Sequence, residues 1–173
     1  MKFRILLSVL LAATIVACSD DDNQVRQPSP EDGRETLVPF SFTISVVNQE
    51  GKSLLDGLNP LNVGDISMKY QGHTYPVLDL STYHTTEGEK RFYGLGLYFD
   101  RRSNMHLLMV GEWDGEKTYT NETFTLSWPD GSQDVFRFSY AYRYLEEEKR
   151  TEVSTSYFLN DEPHDGLDFT ITK

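Results

Sequence analysis

Residues 135–145 constrain the fold of this chain more than any other segment. Aromatic side chains stand at every second position there, namely Phe136, Phe138, Tyr140, Tyr142 and Tyr144. Because successive side chains of a β-strand point to opposite faces, this period of two predicts a strand with one aromatic face. A helix would need a period of about 3.6 residues, which this segment lacks.

Shorter segments of the same kind recur after residue 38, separated by turns rich in Gly, Pro, Asn and Asp. The predicted strands are residues 40–47, 66–70, 75–78, 91–99, 105–110, 119–128, 135–145, 153–159 and 167–171. We therefore predict one all-β domain over residues 38–173, an antiparallel β-sandwich of about eight or nine strands, with a closed β-barrel as the alternative.

Three residues in this pattern carry packing predictions. Pro76 lacks a backbone N–H, which suggests that its strand lies at an edge of the sheet. Gly94 and Gly96 leave one face of their strand bare, and we expect aromatic side chains of a neighbouring strand to cover it.

The aromatic row itself has two interpretations. We expect Phe136, Phe138 and Tyr140 in the core, because alternating aromatics usually fill the interior of a sandwich. Tyr142 and Tyr144 lie nearer a charged loop, and we expect them to emerge and offer a stacking surface for sugar rings. Trp113, beside an Asp-Gly turn, is a third candidate for glycan contact, with coverage of the end of the core as its alternative role.

The amino terminus indicates export from the cell interior. Lys2 and Arg4 precede an apolar run, and the polarity changes abruptly at Cys18, the only cysteine of the chain. This pattern predicts a secretory signal peptide over residues 1–17. The apolar run is shorter than the about 20 residues that span a bilayer. Residues 18–37 contain two prolines and many acids but few apolar side chains, so we expect a flexible tether there.

The segment around Cys18 resembles the lipobox of bacterial lipoproteins, in which the cysteine is alkylated with diacylglycerol and becomes the first residue of the mature chain. The resemblance implies that the membrane is a partner, bound through acyl chains on Cys18. Each buried methylene of such a chain contributes about 0.8 kcal/mol.

Longer segments resemble those of small surface lipoproteins of Bacteroidetes bacteria. They are residues 48–56, 70–77, 92–95 and 121–131. This resemblance implies a β-sandwich domain without an established activity. Residues 19–22 (SDDD) are also similar to the acidic export signal that places such lipoproteins on the outer face of the outer membrane, which implies a cell-surface location.

Charge and motifs narrow the function classes. The chain has 16 basic and 27 acidic side chains and a net charge of −11. Removal of the signal peptide would take away Lys2 and Arg4 and make the net charge −13. This balance argues against nucleic acid as a partner, because phosphates require Lys and Arg. Asp161, Asp165 and Asp168 are weak candidates for metal ligands, but their spacing matches no known site, so we predict no metal or other cofactor.

No nucleophile or metalloprotease motif is present, so we expect a protein that is not an enzyme. The favoured function is a surface module that binds a glycan, a peptide or a membrane-protein partner. A structural or assembly accessory of an outer-membrane complex is the first alternative. A hydrolase with an unrecognised pair of carboxylates is the second.

The lipid anchor gives the first testable prediction. Cys18→Ser removes the thiol that would be alkylated, so the variant should no longer partition into detergent or be labelled by radioactive fatty acid. A variant that is still processed and still sediments with membranes would show that the anchor is something else.

Overall fold

The computed structural model describes residues 37–56, 63–81 and 92–173. The described chain is all-β, as predicted. Its elements in chain order are β1 (Phe40–Val47), a 3-10 helix (Val63–Asp65), β2 (Ser67–Tyr70), β3 (His73–Asp79), β4 (Gly94–Asp100), β5 (Met105–Trp113), β6 (Tyr119–Ser127), β7 (Gln133–Leu145), β8 (Arg150–Leu159), β9 (Glu162–His164) and β10 (Asp168–Thr172). Residues 1–36, which hold the predicted signal peptide, Cys18 and nearly all of the predicted tether, lie outside the described residues.

The ten described strands form one curled sheet, a half-barrel, in the order β10-β1-β5-β4-β3-β2-β6-β7-β8-β9. Seven neighbouring pairs are antiparallel, but β1 with β10 and β3 with β4 are parallel. This corrects the expectation of a purely antiparallel arrangement. Parallel neighbours need a long connection, and the chain between β3 and β4 is long enough to provide one. The strand that the sequence did not predict is β9, which is short and contains Pro163.

The position of β3 corrects the prediction for Pro76. β3 lies between β2 and β4 and is not an edge strand. Its first half, His73–Pro76, pairs with β2, and its second half, Val77–Asp79, pairs with β4. Pro76 therefore stands where one ladder ends and the next begins, a place where a residue without an N–H is tolerated inside a sheet.

The core lies between the two halves of the curled sheet. Phe42 of β1 is buried there, and its ring centroid lies 5.1 Å from that of Phe138 in β7 and 5.4 Å from that of Phe124 in β6. β1 is separated from β6 and β7 by several strands in the sheet order. These ring contacts therefore arise because the curl brings the inner faces of the two halves together.

The aromatic row in β7 behaves largely as predicted. Phe136, Phe138 and Tyr140 are buried core residues, whereas Tyr142 is 39% exposed. Tyr144 is half-buried near the end of the strand. The first three aromatic residues of the row thus fill the core, and the row reaches the surface at Tyr142.

The glycines of β4 also have the predicted close neighbours, with one difference. A Cβ at Gly94 would collide with the ring of Tyr75, so an aromatic residue covers this position as expected. Gly94 also has a φ of 84°, a conformation that favours glycine. The face at Gly96 is instead covered by Leu80, which is aliphatic.

Asp134 is a buried charged residue that joins several elements. Trp128 Nε1 and Asn160 Nδ2 each donate a hydrogen bond to its carboxylate at 2.7 Å, and Lys173 Nζ lies 3.1 Å from Oδ2. Burial opposes ionisation, but the bonds from Asn160, Lys173 and Trp128 prevail and hold the pKa of Asp134 below its usual value. The ionised carboxylate therefore ties the β6–β7 turn to the loop after β8 and to the final residue.

The described residues contain no helix that is long and apolar enough to cross a membrane.

Truncation in the core should be far more costly than truncation on the outer face of the same strand. Phe138 is 1% exposed and Val135 is 40% exposed. Phe138→Ala should lower the free energy of unfolding by about 3 to 5 kcal/mol, and Val135→Ala should change it by no more than about 0.5 kcal/mol. Urea denaturation measures both. Equal losses in the two variants would contradict the assignment of faces in β7.

Asp134 should make stability depend on pH. Because its pKa is lower in the folded chain, its contribution is present above the unfolded pKa of about 3.9 and is lost as pH falls through the folded pKa. Asp134→Asn should destabilise the protein by about 1.5 to 3 kcal/mol near neutral pH, with a smaller difference from wild type in acid. Urea denaturation from neutral pH to below the unfolded pKa measures the difference in the free energy of unfolding. The exposed Asp165→Asn serves as the control. A difference that does not vary with pH would refute the role of the charge.

Candidate functional site

One surface cleft is walled by aromatic side chains where the core of the curled sheet reaches the surface. Its volume is about 400 Å³, within the range of about 300 to 1,000 Å³ that is usual for ligand sites. Its aromatic residues are Tyr70, Tyr75, Phe92, Trp113 and Tyr119, and its polar residues are Gln71, Glu112, Asp114 and Lys117. We call it the aromatic cleft.

The β2–β3 hairpin supplies one wall. Gln71 and Gly72 form its turn with φ values of 46° and 79°, and positive φ at both positions fits a type I′ turn. The hairpin brings both Tyr70 and Tyr75 against Phe92, with ring centroids 5.1 and 5.4 Å from that of Phe92. A tight, regular turn therefore fixes the separation of two of the rings.

A β-bulge turns Trp113 into the cleft. Phe40 pairs with Trp113 but Phe42 pairs with Val110, so β5 has one residue more than β1 across this stretch. Gly111 lies within the bulge at a φ of 144°. The extra residue inverts the alternation of side chains, so that Trp113 shares the inward face with Val110.

A second bulge has the same effect on Tyr119. Tyr119 pairs with Tyr140 and Glu122 pairs with Phe138, so β6 has one extra residue here, close to Asn121 at a φ of 50°. Tyr119 and Glu122 consequently point to the same face of the sheet although they are three positions apart. Both bulges adjoin the aromatic cleft, since the two rings that they redirect line it.

Phenol hydroxyls and carboxylates form the polar part of the cleft. The Tyr70 hydroxyl donates to Glu122 Oε2 at 2.9 Å and accepts from Gln71 Nε2 at 3.0 Å, while the Asp114 N–H donates to the Tyr119 hydroxyl at 3.0 Å. Burial raises the pKa of Tyr70 to about 12, and the charge of Glu122 adds to this effect. Burial also raises the pKa of Tyr119, and the nearby charges of Asp114 and Glu122 add to this effect, although the hydrogen bond from the Asp114 N–H opposes it. Both phenols are therefore protonated donors at neutral pH.

The indole N–H of Trp113 is a buried donor without a hydrogen-bond partner in the described part of the chain. It lies near the Tyr70 hydroxyl but does not reach hydrogen-bond geometry with it. Leaving a buried donor unsatisfied costs about 1 to 3 kcal/mol.

The three predicted contact residues are not brought together. Trp113 is 3% exposed, so it packs in the core and forms the base of the cleft instead of standing at the surface. Tyr142 lies outside the cleft lining, and its hydroxyl donates to the carbonyl oxygen of Glu116 at 2.9 Å. Through this hydrogen bond Tyr142 supports the turn that follows Asp114. Tyr144 is also outside the lining.

The weak metal candidates are separated as well. Asp161 lies 3.3 Å from Arg137, and Asp168 lies in a different groove. Asp165 is exposed in the loop before β10. Within the residues that the structure describes, no three His, Cys, Asp or Glu side chains are grouped so as to hold a metal ion.

A second groove, of about 470 Å³, runs over the outer face of β10, β1, β5 and β4. Its lining is dominated by hydroxyl and charged side chains, among them Thr43, Ser45, Asp100, Arg102 and Asp168. It is larger than the aromatic cleft, but it lacks a wall of several rings. Since sites for small ligands are lined mostly by apolar and aromatic side chains with a few polar groups, we regard the aromatic cleft as the candidate site.

The sequence did not identify most of the cleft. Tyr70, Tyr75 and Phe92 belong to segments that were recognised, but nothing marked them as a site. One local signal was available, because Tyr70 and Tyr75 flank the short Gln71-Gly72 turn. The inversion of alternation at the two bulges could not be derived from the pattern alone.

Comparison of the chain with protein-family models, with curated proteins and with solved structures gives no match.

Proposed function

We propose that this protein is a lipid-anchored protein of the outer membrane, exposed at the cell surface, whose domain binds a glycan in the aromatic cleft without catalysing a reaction. The anchor is supported by the signal-like run and Cys18 in the sequence. The binding function is supported by one observation above all, the convergence of five aromatic side chains on a single cleft.

The cleft has the chemistry that sugar binding needs. A pyranose has an apolar face that stacks on aromatic rings and a rim of hydroxyls that need partners. Tyr75 and Phe92 are half-buried and offer ring surface. Glu112 and the Tyr119 hydroxyl stand beside them as hydrogen-bonding groups. Peptides could use the same surface, but the density of rings and hydroxyl-compatible acceptors favours a glycan.

We also propose that the curled sheet is a sandwich and not a closed barrel. The partner switch within β3 divides the strands into two groups, and the inner faces of these groups pack against each other through Phe42 and Phe138. β9 and β10 are the two ends of the strand order and do not pair with each other. In place of a ladder, His164 Nε2 lies 2.9 Å from the backbone oxygen of Asp168.

The glycan function is tested by screening the full-length chain in detergent micelles on a glycan array. Tyr75→Ala removes a ring from the wall and should weaken binding of any captured glycan at least about tenfold, or about 1.4 kcal/mol. Phe99→Ala removes an aromatic side chain that is exposed outside the cleft and should leave affinity unchanged.

Four outcomes would count against the proposal. A blank array would argue against a glycan ligand. Equal affinity in wild type and Tyr75→Ala would place the site elsewhere, and a loss confined to Tyr142→Ala or Tyr144→Ala would restore the site that the sequence predicted. Release of new reducing ends from a bound glycan would show that the protein is a hydrolase.

The accessory function has one observation in its favour, an unpaired strand edge. β9 covers only Tyr157–Leu159 of β8, and no described strand pairs with residues 150–156 on that side. Such an edge can accept a strand from another protein. Val153 is exposed on this strand, so Val153→Lys should disrupt a native complex in solubilised outer membranes, whereas Val135→Lys on β7 should not.

A further inference from the structure

Two carboxylates beside the aromatic cleft have no cationic partner among the residues that the structure describes. Glu112 lines the cleft, and Glu122 adjoins it through its bond with Tyr70. No lysine, arginine or histidine of the described residues forms an ion pair with either glutamate. Lys117 also lines the cleft, but it is 3.9 Å from Asp114.

Glu122 is placed unusually for a charged residue. It pairs with Phe138 across the β6–β7 ladder and so projects from the inward face of the sheet, where it is half-buried. Its hydrogen bonds come from two neutral groups, the Tyr70 hydroxyl at 2.9 Å and Gln71 Nε2 at 3.4 Å. A partly buried carboxylate is stabilised most by a positive partner, because a charge without one keeps part of its desolvation cost.

The aromatic walls favour a positive group at the same place. Aromatic rings carry negative charge density on their faces and attract cations that approach those faces. Tyr70 belongs to the wall and holds Glu122 directly, so a cation in the cleft would meet a carboxylate and ring faces together. A negatively charged group would be repelled by both the carboxylate and the ring faces.

We propose that the aromatic cleft binds amino sugars, with the protonated amine of the sugar beside Glu122 and Glu112 and its apolar face against the rings. This inference rests on the proposed glycan function and adds the class of glycan. It follows from a ring-lined cleft of about 400 Å³ in which Glu112 lines the wall and Glu122 adjoins it through Tyr70, both without a cationic partner among the described residues. N-acetylation would remove the positive charge of the amine. A uronic acid would bring a negative charge, which the two glutamates would repel.

The test compares three tetrasaccharides that share a β-1,4-linked backbone and differ only at carbon 2. Their units are glucosamine, N-acetylglucosamine and glucose, which carry an amine, an acetamide and a hydroxyl there. Calorimetric titration of the full chain in detergent micelles, at about pH 6 where amines are protonated and carboxylates ionised, gives the three affinities. The amine should bind at least tenfold more tightly than the other two, and the preference should shrink as salt is added.

Glutamate-to-glutamine variants test which carboxylate causes the preference for the amine. Glu122→Gln keeps an oxygen that can accept from Tyr70 but removes the charge, and it should reduce the preference for the amine over the other two tetramers at least tenfold. Glu112→Gln should have a smaller effect of the same sign. Glu162→Gln, on exposed β9, is the matched control and should change nothing. Melting temperatures of all three variants verify that they fold.

The outcomes separate this inference from the proposed function. Equal binding of the three tetrasaccharides, weakened by Tyr75→Ala, would overturn the amino-sugar inference and leave the glycan function intact. A preference for the amine that survives Glu122→Gln and Glu112→Gln would show attraction to the acidic chain as a whole and would also overturn it. If none of the three binds while the array captures another glycan, the inference fails and the function stands. If nothing binds in either experiment, both fail.

Discussion

The packing of Phe42 between the two halves of the sheet is the interaction on which the rest of the structure depends. Its ring contacts side chains from β5, β6, β7, β8 and β10, with centroid distances between 5.0 and 5.8 Å. A flat sheet would leave this aromatic face in water, at a cost of about 25 cal/mol for each Å² of apolar surface. Burial of the face therefore requires the curl, and the curl determines where the inner faces open to the surface. The aromatic cleft is that opening, because Tyr70 and Trp113 belong to the core cluster and to the cleft at once.

The sequence predicts those parts of the fold that depend on local alternation. β1 begins and ends where the pattern of residues 40–47 predicts, and the row in β7 is buried where its aromatics alternate. Features that depend on distant parts of the chain were missed. The parallel pairing of β3 with β4 and the position of Pro76 are set by which strands meet, and alternation within one strand carries no information about its neighbours. Trp113 had two predicted roles, exposed contact beside the turn or coverage of the end of the core, and the bulge at Gly111 turns it to the inward face.

The same two bulges explain why the candidate site differs from the one that the sequence suggested. Continuous alternation in β7 carries Tyr142 beyond the core, where its hydroxyl supports the turn at Glu116. Interrupted alternation in β5 and β6 instead gathers Trp113 and Tyr119 at one place. Bulges often re-aim side chains near binding sites, and here they join rings from separate strands that are held by regular ladders. A site built on strands is more rigid than one built on loops, which reduces the entropy lost when a ligand binds.

The shared residues also set limits on how the cleft can be altered. Trp113 contacts the rings of Phe42, Phe124 and Phe138 at 5.0 to 5.7 Å, so its removal would open a cavity in the core and would confound binding with unfolding. Tyr75 and Glu122 are only half-buried and lie at the margin of the same cluster. Substitutions at the margin of the cleft can therefore change ligand affinity while the fold keeps Trp113 in place. By mass action, a ligand that binds only the folded chain should raise the free energy of unfolding, by about 2.7 kcal/mol when its concentration is a hundred times its Kd.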